Sequence, residues 1–363
     1  GVETLLMNIY RRVDRSRLQF DFAVHTDRPC AYDAEILDLG GRIFHHPRPS
    51  EAGIWRFARR FWETLRRKGP FAVVHSHVHG FTGLVLLLAR AAEVTTRIAH
   101  SHTTSDGHIA TPLRVAYRWL MNKLILINAT HLLANSRASA RALFGESFVD
   151  DRRFSILRNA LEMDSFRIQE SDRDVLRMQY SLPLGRTIIG HVGRFVQVKN
   201  HSFLLDVFEC LRDSLPSAYL VLAGDGLLRE TIDFHVRSRG LARYVHFLGE
   251  CDDVPRLLGT FDILLFPSRF EGLGNVVVEA QAAGVPCLVS TGIPSEANLN
   301  LGLFRRLSLE VGAESWAQEA ARVITIQKPS WQRRTKAIQA SGYDVLRSLA
   351  LLQETYGLTV LHG

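Results

Sequence analysis

Four cysteines in 363 residues, Cys30, Cys210, Cys251 and Cys287, stand far apart, with no CxxC pair among them. That spacing argues against a disulfide framework or a thiolate zinc site and fits a reducing compartment. Long apolar runs are lacking too. The longest, Phe81 to Ala89, is less than half of the roughly 20 residues a helix needs to cross a bilayer. No secretory leader, short-period repeat or low-complexity tract is recognisable. With 46% hydrophobic and 22% charged residues, the chain is neither disordered nor collagen-like nor fibrous. At roughly 100–200 residues per domain, two domains are expected.

Charge is present but uneven. Residues 1–165 hold 23 Lys and Arg against 16 Asp and Glu, a net of +7, while residues 166–363 hold 21 of each. Much of the excess lies in 54–68, where Ile54, Phe57, Ala58, Phe61, Trp62 and Leu65 recur at helical spacing opposite six basic residues and one acid. Such a helix can lie on an anionic membrane, aromatics dipping in and arginines on headgroups. It can equally pack its apolar face on a sheet and leave the basic side in solvent, and the two are compatible if rim arginines touch lipid. No nucleic-acid module or arginine-rich tail accompanies the charge, so nucleic acid is not expected as a partner.

Short β-branched runs alternate with helical patterns throughout. In the first half they are Phe20–Thr26, Arg42–His46, Ala72–His77, Thr96–His102, His131–Ser136 and Ser155–Arg158; in the second, Thr187–Gly193, Ala218–Gly224, Val245–Gly249, Asp262–Pro267, Val285–Ser290 and Arg306–Leu309. The fold class is therefore α/β, with two doubly wound Rossmann-like domains. The expected divisions are 1–165, 166–342 and a final helical segment 343–363 that packs back on the first domain. Ligands collect at the carboxyl ends of strands in such sheets.

The segment Phe266–Pro286 reads as a buried strand, a loop bearing Glu271, glycines that open a helix, and Gly284-Val285-Pro286 closing it. Glycines allow close backbone approach to a ligand, and free N–H groups at a helix start attract an anion. Glu279 on that helix could accept hydrogen bonds from a diol. Arg194 and Lys199 follow the first strand of the second domain, where a planar fork and a point charge could clamp a diphosphate or, equally, form a surface pair. Gly224-Asp225-Gly226 reads as a turn that either contacts ligand or merely reverses the chain. His75, His77 and His79, with His100 and His102, fall at two strand ends where alternate residues share a face. A divalent metal would accept such imidazoles, but no carboxylate at ligand spacing joins them, and no metal is expected.

These residues resemble family 4 of the retaining glycosyltransferases, of GT-B fold, in the bacterial capsular and exopolysaccharide branch. The resemblance runs end to end through Gly1-Val2-Glu3-Thr4, Gly193-Arg194-Phe195, Gly224-Asp225-Gly226, Phe247-Leu248-Gly249, Pro267-Ser268 and the Glu-x7-Glu pair Glu271 and Glu279. Gly292-Ile293-Pro294-Ser295-Glu296 and Glu314-Ser315-Trp316-Ala317 are similar to the polysaccharide branch in particular. The resemblance implies hexose transfer from a nucleotide diphosphate sugar, a UDP-sugar, to a lipid-linked glycan, with no cofactor and no metal. By it, Arg194 and Lys199 hold the diphosphate, Glu271 and the backbone of Gly272, Leu273 and Gly274 meet the sugar or phosphate, and Glu279 takes the ribose. Cys251 borders the base, and Gly1 approaches the phosphate. His102 acts on the acceptor side and in catalysis with Glu271, Arg194 and Lys199, and His77 and Ser136 line the acceptor side. The enzyme it implies is cytoplasmic, held peripherally on the inner face of the membrane. Gly274-Asn275 departs from the many relatives with an apolar residue there, which bears on sugar choice. Gly1 resembles the end of a loop that follows a first strand, so the first sheet is expected to lack that strand. A non-catalytic sugar-binding or scaffold subunit, or a nucleotide-sugar epimerase, are the other functions such a chain could have.

Overall fold

The structure, a computed structural model, describes residues 2–104, 109 and 111–358, the side chain of Ser147 apart. It divides into two compact units. One takes in the chain up to Leu161 and resumes at Val345, and the other is Glu162–Asp344.

In the first unit, β1 (Phe22–Val24) and β2 (Ile43–His45) form a parallel pair, and β3 (Val73–Ser76), β4 (Thr96–Ser101), β5 (His131–Ala134) and β6 (Phe154–Ile156) form a separate parallel sheet in sequence order. One apolar cluster spans both sheets: Phe22 and Ile43 pack with Val73, Ile98 and Leu133. The helices Val2–Tyr10 and Val345–Thr355 add Leu5, Met7, Ile9, Val345 and Leu352 to it. Ser348 Oγ donates to Arg158 O at 3.4 Å, a further tie of the last helix to this unit.

The basic amphipathic segment is a helix, Ile54–Lys68. Phe57, Phe61 and Leu65 are buried against Val85 and Ala89 of the helix Thr82–Ala91. Ile54 and Trp62, read from periodicity as part of the packed face, are 44% and 41% exposed, and Trp55 is 85% exposed. The packed stripe is thus narrower than the apolar pattern.

In the second unit β7 (Thr187–Val192), β8 (Ala218–Ala223), β9 (Val245–Gly249), β10 (Ile263–Phe266), β11 (Cys287–Ser290) and β12 (Phe304–Leu307) form one parallel sheet in the order β12-β11-β10-β7-β8-β9. β10 and β11 are buried along their whole length, which explains their unbroken apolar runs. Strand order reverses between β7 and β10, so the crossovers leave this pair in opposite directions and open a crevice at its carboxyl end. At the opposite end the Asp262 carboxylate locks the pair: it accepts from Ile188 N–H at 2.6 Å, Arg177 at 2.8 Å and Arg173 at 2.7 Å.

Gly190 in β7 lies under the ring of Phe261, whose carbons would be 1.9–2.4 Å from an added Cβ. Gly190→Ala is therefore expected to lower unfolding stability by about 1–3 kcal/mol, the usual cost of overpacking, measured as a reduced urea midpoint at unchanged slope.

Candidate functional site

Three loops leave the carboxyl ends of the adjacent strands β7, β10 and β11, and hydrogen bonds tie them into one frame. Arg269 N–H donates to Val198 O at 2.8 Å, and Asn200 Nδ2 to Pro267 O at 3.2 Å. Glu271 N–H donates to Gly292 O at 3.2 Å, and the Ser290 hydroxyl donates to Ser268 O. Gly292 is required here, since a Cβ would lie 2.1 Å from Arg269 O. Asn200, at φ 58° and ψ 45°, turns the β7 loop into the helix His201–Ser214. Asparagine is among the few side chains that tolerate that left-handed region.

On this frame Lys199 Nζ meets Glu271 Oε1 at 2.6 Å, with both side chains 17% exposed. The ammonium also lies 4.6 Å from the centroid of the buried Phe266 ring, on the face that attracts a cation. Arg194, five residues before Lys199, is exposed, and no carboxylate among the described residues pairs with it. The crevice thus holds one neutralised lysine–glutamate pair and one arginine open to an anion.

The β10 loop enters the helix Asn275–Ala283 through Gly274, at φ 81°. Gly272, Leu273 and Gly274 are buried, and the Leu273 side chain is only 1% exposed, so this stretch can offer a ligand its backbone alone. The first turn leaves N–H groups without intrahelical partners at the positive end of the helix. Asn275 Oδ1 is buried there with no hydrogen-bond partner among the described residues. Glu279, half-buried on the same helix, has its carboxyl raised above the ordinary value by burial, and no described donor pairs with it.

Cys251 follows β9 as a half-buried free thiol, raised by burial. It adjoins Tyr180, whose hydroxyl is pushed up to about 12, chiefly by burial, and donates to Asp253 O at 3.3 Å. The glycines of 224–226 answer to packing: a Cβ on Gly224 would lie 2.3 Å from Gly193 O, and one on Gly226 2.8 Å from Phe195 N and O. This loop clasps the Arg194 loop, with Phe195 N–H donating to Asp225 O at 2.9 Å. Beneath it sit two histidines that sequence reasoning missed. His201 stacks on Phe195 with centroids 4.3 Å apart, and His191 Nδ1–H donates to Leu265 O at 2.9 Å. A histidine straight after Lys199-Asn200 was the only signal available.

In the first unit β3 and β4 bring His75, His77, His100 and His102 together. His77 Nδ1 and His102 Nε2 are 2.8 Å apart, His75 Nε2 and His100 Nδ1 3.1 Å, and His75 Nδ1 lies 2.9 Å from the Tyr356 hydroxyl. Burial holds all four neutral, with His77 pushed down to about 4. Ser136, read as an acceptor-side contact, is instead fully buried as the N-cap of the helix Arg137–Phe144, where it accepts from Ser139 N–H at 3.1 Å. Burial suits that hydroxyl to capping and not to an external saccharide. Gly1 lies outside the described residues.

The family model "Glycosyl transferase 4-like domain" matches residues 1–160, and "Glycosyl transferases group 1" matches 172–341. EpsF of Bacillus subtilis (strain 168), provisionally assigned as a glycosyltransferase, is 37% identical over 99% of this chain and 94% of its own length. The chain belongs to the glycosyltransferases. The capsular polysaccharide biosynthesis glycosyltransferase CapH of Staphylococcus aureus is 28% identical over 90% of this chain and 88% of its own. The UDP-Gal:alpha-D-GlcNAc-diphosphoundecaprenol alpha-1,3-galactosyltransferase of Escherichia coli is 24% identical over 62% of this chain and 59% of its own. Among solved structures, Anabaena Alr3699/HepE in complex with UDP superposes at TM-score 0.79 over 99% of this chain and 96% of that one; at 19% identity the likeness is one of fold, GT-B.

Unit 2 of this glycosyltransferase should weaken in acid. Burial pushes His201 down to about 4 and holds His191 well below its ordinary value. Between the ordinary value near 6.5 and about 4, the unfolded chain binds protons that the native chain refuses, so stability falls as pH drops through that window and is unaffected above it. Urea midpoints at pH 7 and pH 5 should differ, and His201→Gln should narrow the gap.

Proposed function

We propose that this glycosyltransferase moves a hexose from a nucleotide diphosphate sugar, a UDP-sugar, to a lipid-linked saccharide in surface polysaccharide assembly. The observation that carries the reading is the placing of the Lys199–Glu271 pair and the unpaired Arg194 on the two loops that flank the strand-order reversal. Support for the donor comes from the Anabaena fold relative, solved with UDP and with UDP-glucose. Support for the acceptor and setting comes from the diphosphoundecaprenol-linked substrate named for the Escherichia coli relative and from the capsular role named for CapH.

In this reading the anomeric C–O bond to the leaving phosphate breaks, and the acceptor oxygen bonds to the same carbon on the same face. The acceptor proton passes to the departing phosphate oxygen. Negative charge grows on the diphosphate, where Arg194, Lys199 and the first-turn N–H groups of Asn275–Ala283 stabilise it, so the step needs neither metal nor cofactor. Glu271 forms no covalent bond to the sugar. It holds Lys199 in position when no donor is bound, and orients the hexose when the ammonium turns to phosphate. Glu279 takes the ribose hydroxyls, Cys251 borders the base, and His102 with His77 serves the acceptor side.

The basic helix Ile54–Lys68 would rest on the anionic inner face of the membrane through Trp55 and Trp62, the exposed aromatics beside its arginines. The helix Pro112–Asn128 adds exposed Leu113, Trp119, Leu120 and Ile127, and both helices pack against Thr82–Ala91 in the first unit. Among the described residues no helix is long and apolar enough to cross a membrane.

Glu271→Ala and Arg194→Ala are each expected to lower turnover by about 10²–10³, measured as radiolabelled sugar transferred from UDP-hexoses to membrane extract. Near-normal rates in both variants refute the assignment. Product formed without extract would favour an epimerase, and donor binding without product a non-catalytic subunit. The protein should float with anionic but not neutral liposomes, and reversing Arg59, Arg60, Arg66 and Arg67 should abolish flotation.

A further inference from the structure

We propose that the carboxyl ends of β3 and β4 carry a metal site for a zinc-class divalent ion, ligated by His75, His77 and His100. One ring nitrogen of each lies within 4.8 Å of the other two. Zinc–imidazole bonds of 2.0–2.1 Å put tetrahedral ligand atoms roughly 3.3 Å apart. His75 Nε2 and His100 Nδ1 already stand at 3.1 Å, so an ion can replace their hydrogen bond with little movement of either strand.

The outer faces of the rings are engaged in the way that orients metal ligands. His75 Nδ1 reaches the Tyr356 hydroxyl at 2.9 Å, and His77 Nδ1 reaches His102 Nε2 at 2.8 Å. Both contacts leave Nε2 to the ion. His100 would bind through Nδ1, its proton moving to Nε2, a buried atom left without a hydrogen-bond partner among the described residues. Three neutral imidazoles then ligate with no net loss of protons, and a fourth position stays open for water.

The all-imidazole set speaks for zinc, nickel or copper and against magnesium or calcium, which require oxygen ligands. From the sequence, a metal is set aside because no carboxylate stands at ligand spacing; a three-nitrogen site needs none. The site lies wholly within the first unit and uses none of the loops assigned to the donor; it shares only His77 with the acceptor side proposed above, and metal binding is measured independently of sugar transfer.

The test uses the full chain stripped with a chelator and titrated with Co²⁺ and Zn²⁺. Expected are one Zn²⁺ per chain, the intense visible absorption of tetrahedral Co²⁺, and a raised melting temperature with Zn²⁺. His75→Gln and His100→Gln should each weaken Zn²⁺ binding by about 100-fold and Tyr356→Phe by about 10-fold, the outer-partner range, while Glu271→Gln leaves it unchanged. Zn²⁺ affinity unaltered in a folded His75→Gln/His100→Gln protein overturns the proposal. If those variants fail to fold, the wild-type Co²⁺ spectrum decides, since only weak octahedral absorption, as surface histidines give, also overturns it.

Discussion

Two neighbouring parallel strands whose crossovers run to opposite sides cannot both be roofed by their own helices, and that constraint organises the second unit. Between β7 and β10 the sheet has an uncovered end. The chain fills it with short loops held by backbone hydrogen bonds, Arg269 to Val198 and Glu271 to Gly292. Space is so tight that glycine is required at 224, 226 and 292, where any side chain would strike backbone. At the other end Asp262 and two arginines clamp the same strand pair. A rigid base therefore presents its charges without having to reorganise, which is the condition for electrostatic stabilisation of a growing negative charge.

The charge inventory follows the same division. In the crevice the lysine and glutamate neutralise each other at 2.6 Å, and the arginine remains. A pair of this burial gains from the lower dielectric and from the face of Phe266, whereas the rim arginines of Ile54–Lys68 are screened and count collectively. The first unit holds 24 Lys and Arg against 15 Asp and Glu, a net of +9 against −2 for the second, and it also exposes Trp55, Trp62 and Trp119. One unit thus gathers its charges at a crevice, and the other spreads them along a helix beside exposed aromatics.

The histidines show how environment sets chemistry. His201 and His77 differ in partner and unit, yet burial pushes both to about 4. For His201 the result is packing under the Arg194 loop. For the β3–β4 group the result is a set of neutral rings that face one another across adjacent strands.

The amino-acid order by itself determined the parallel α/β plan, since fully buried strands such as Ile263–Phe266 need unbroken apolar runs. It also marked the segments that carry charge to the crevice, because Arg194 and Glu271 sit beside glycines in the stretches that follow strands. Three things were settled only by the tertiary structure. Lys199 and Glu271, 72 positions apart, became an ion pair because strand order, not sequence, makes β7 and β10 neighbours. Ser136 became a buried cap and Trp62 an exposed aromatic, because burial depends on what lies opposite a residue and periodicity reports only which face it occupies. The imidazoles of His75 and His100 met for the same reason: adjacent strands supply a distance of 3.1 Å that no local pattern encodes.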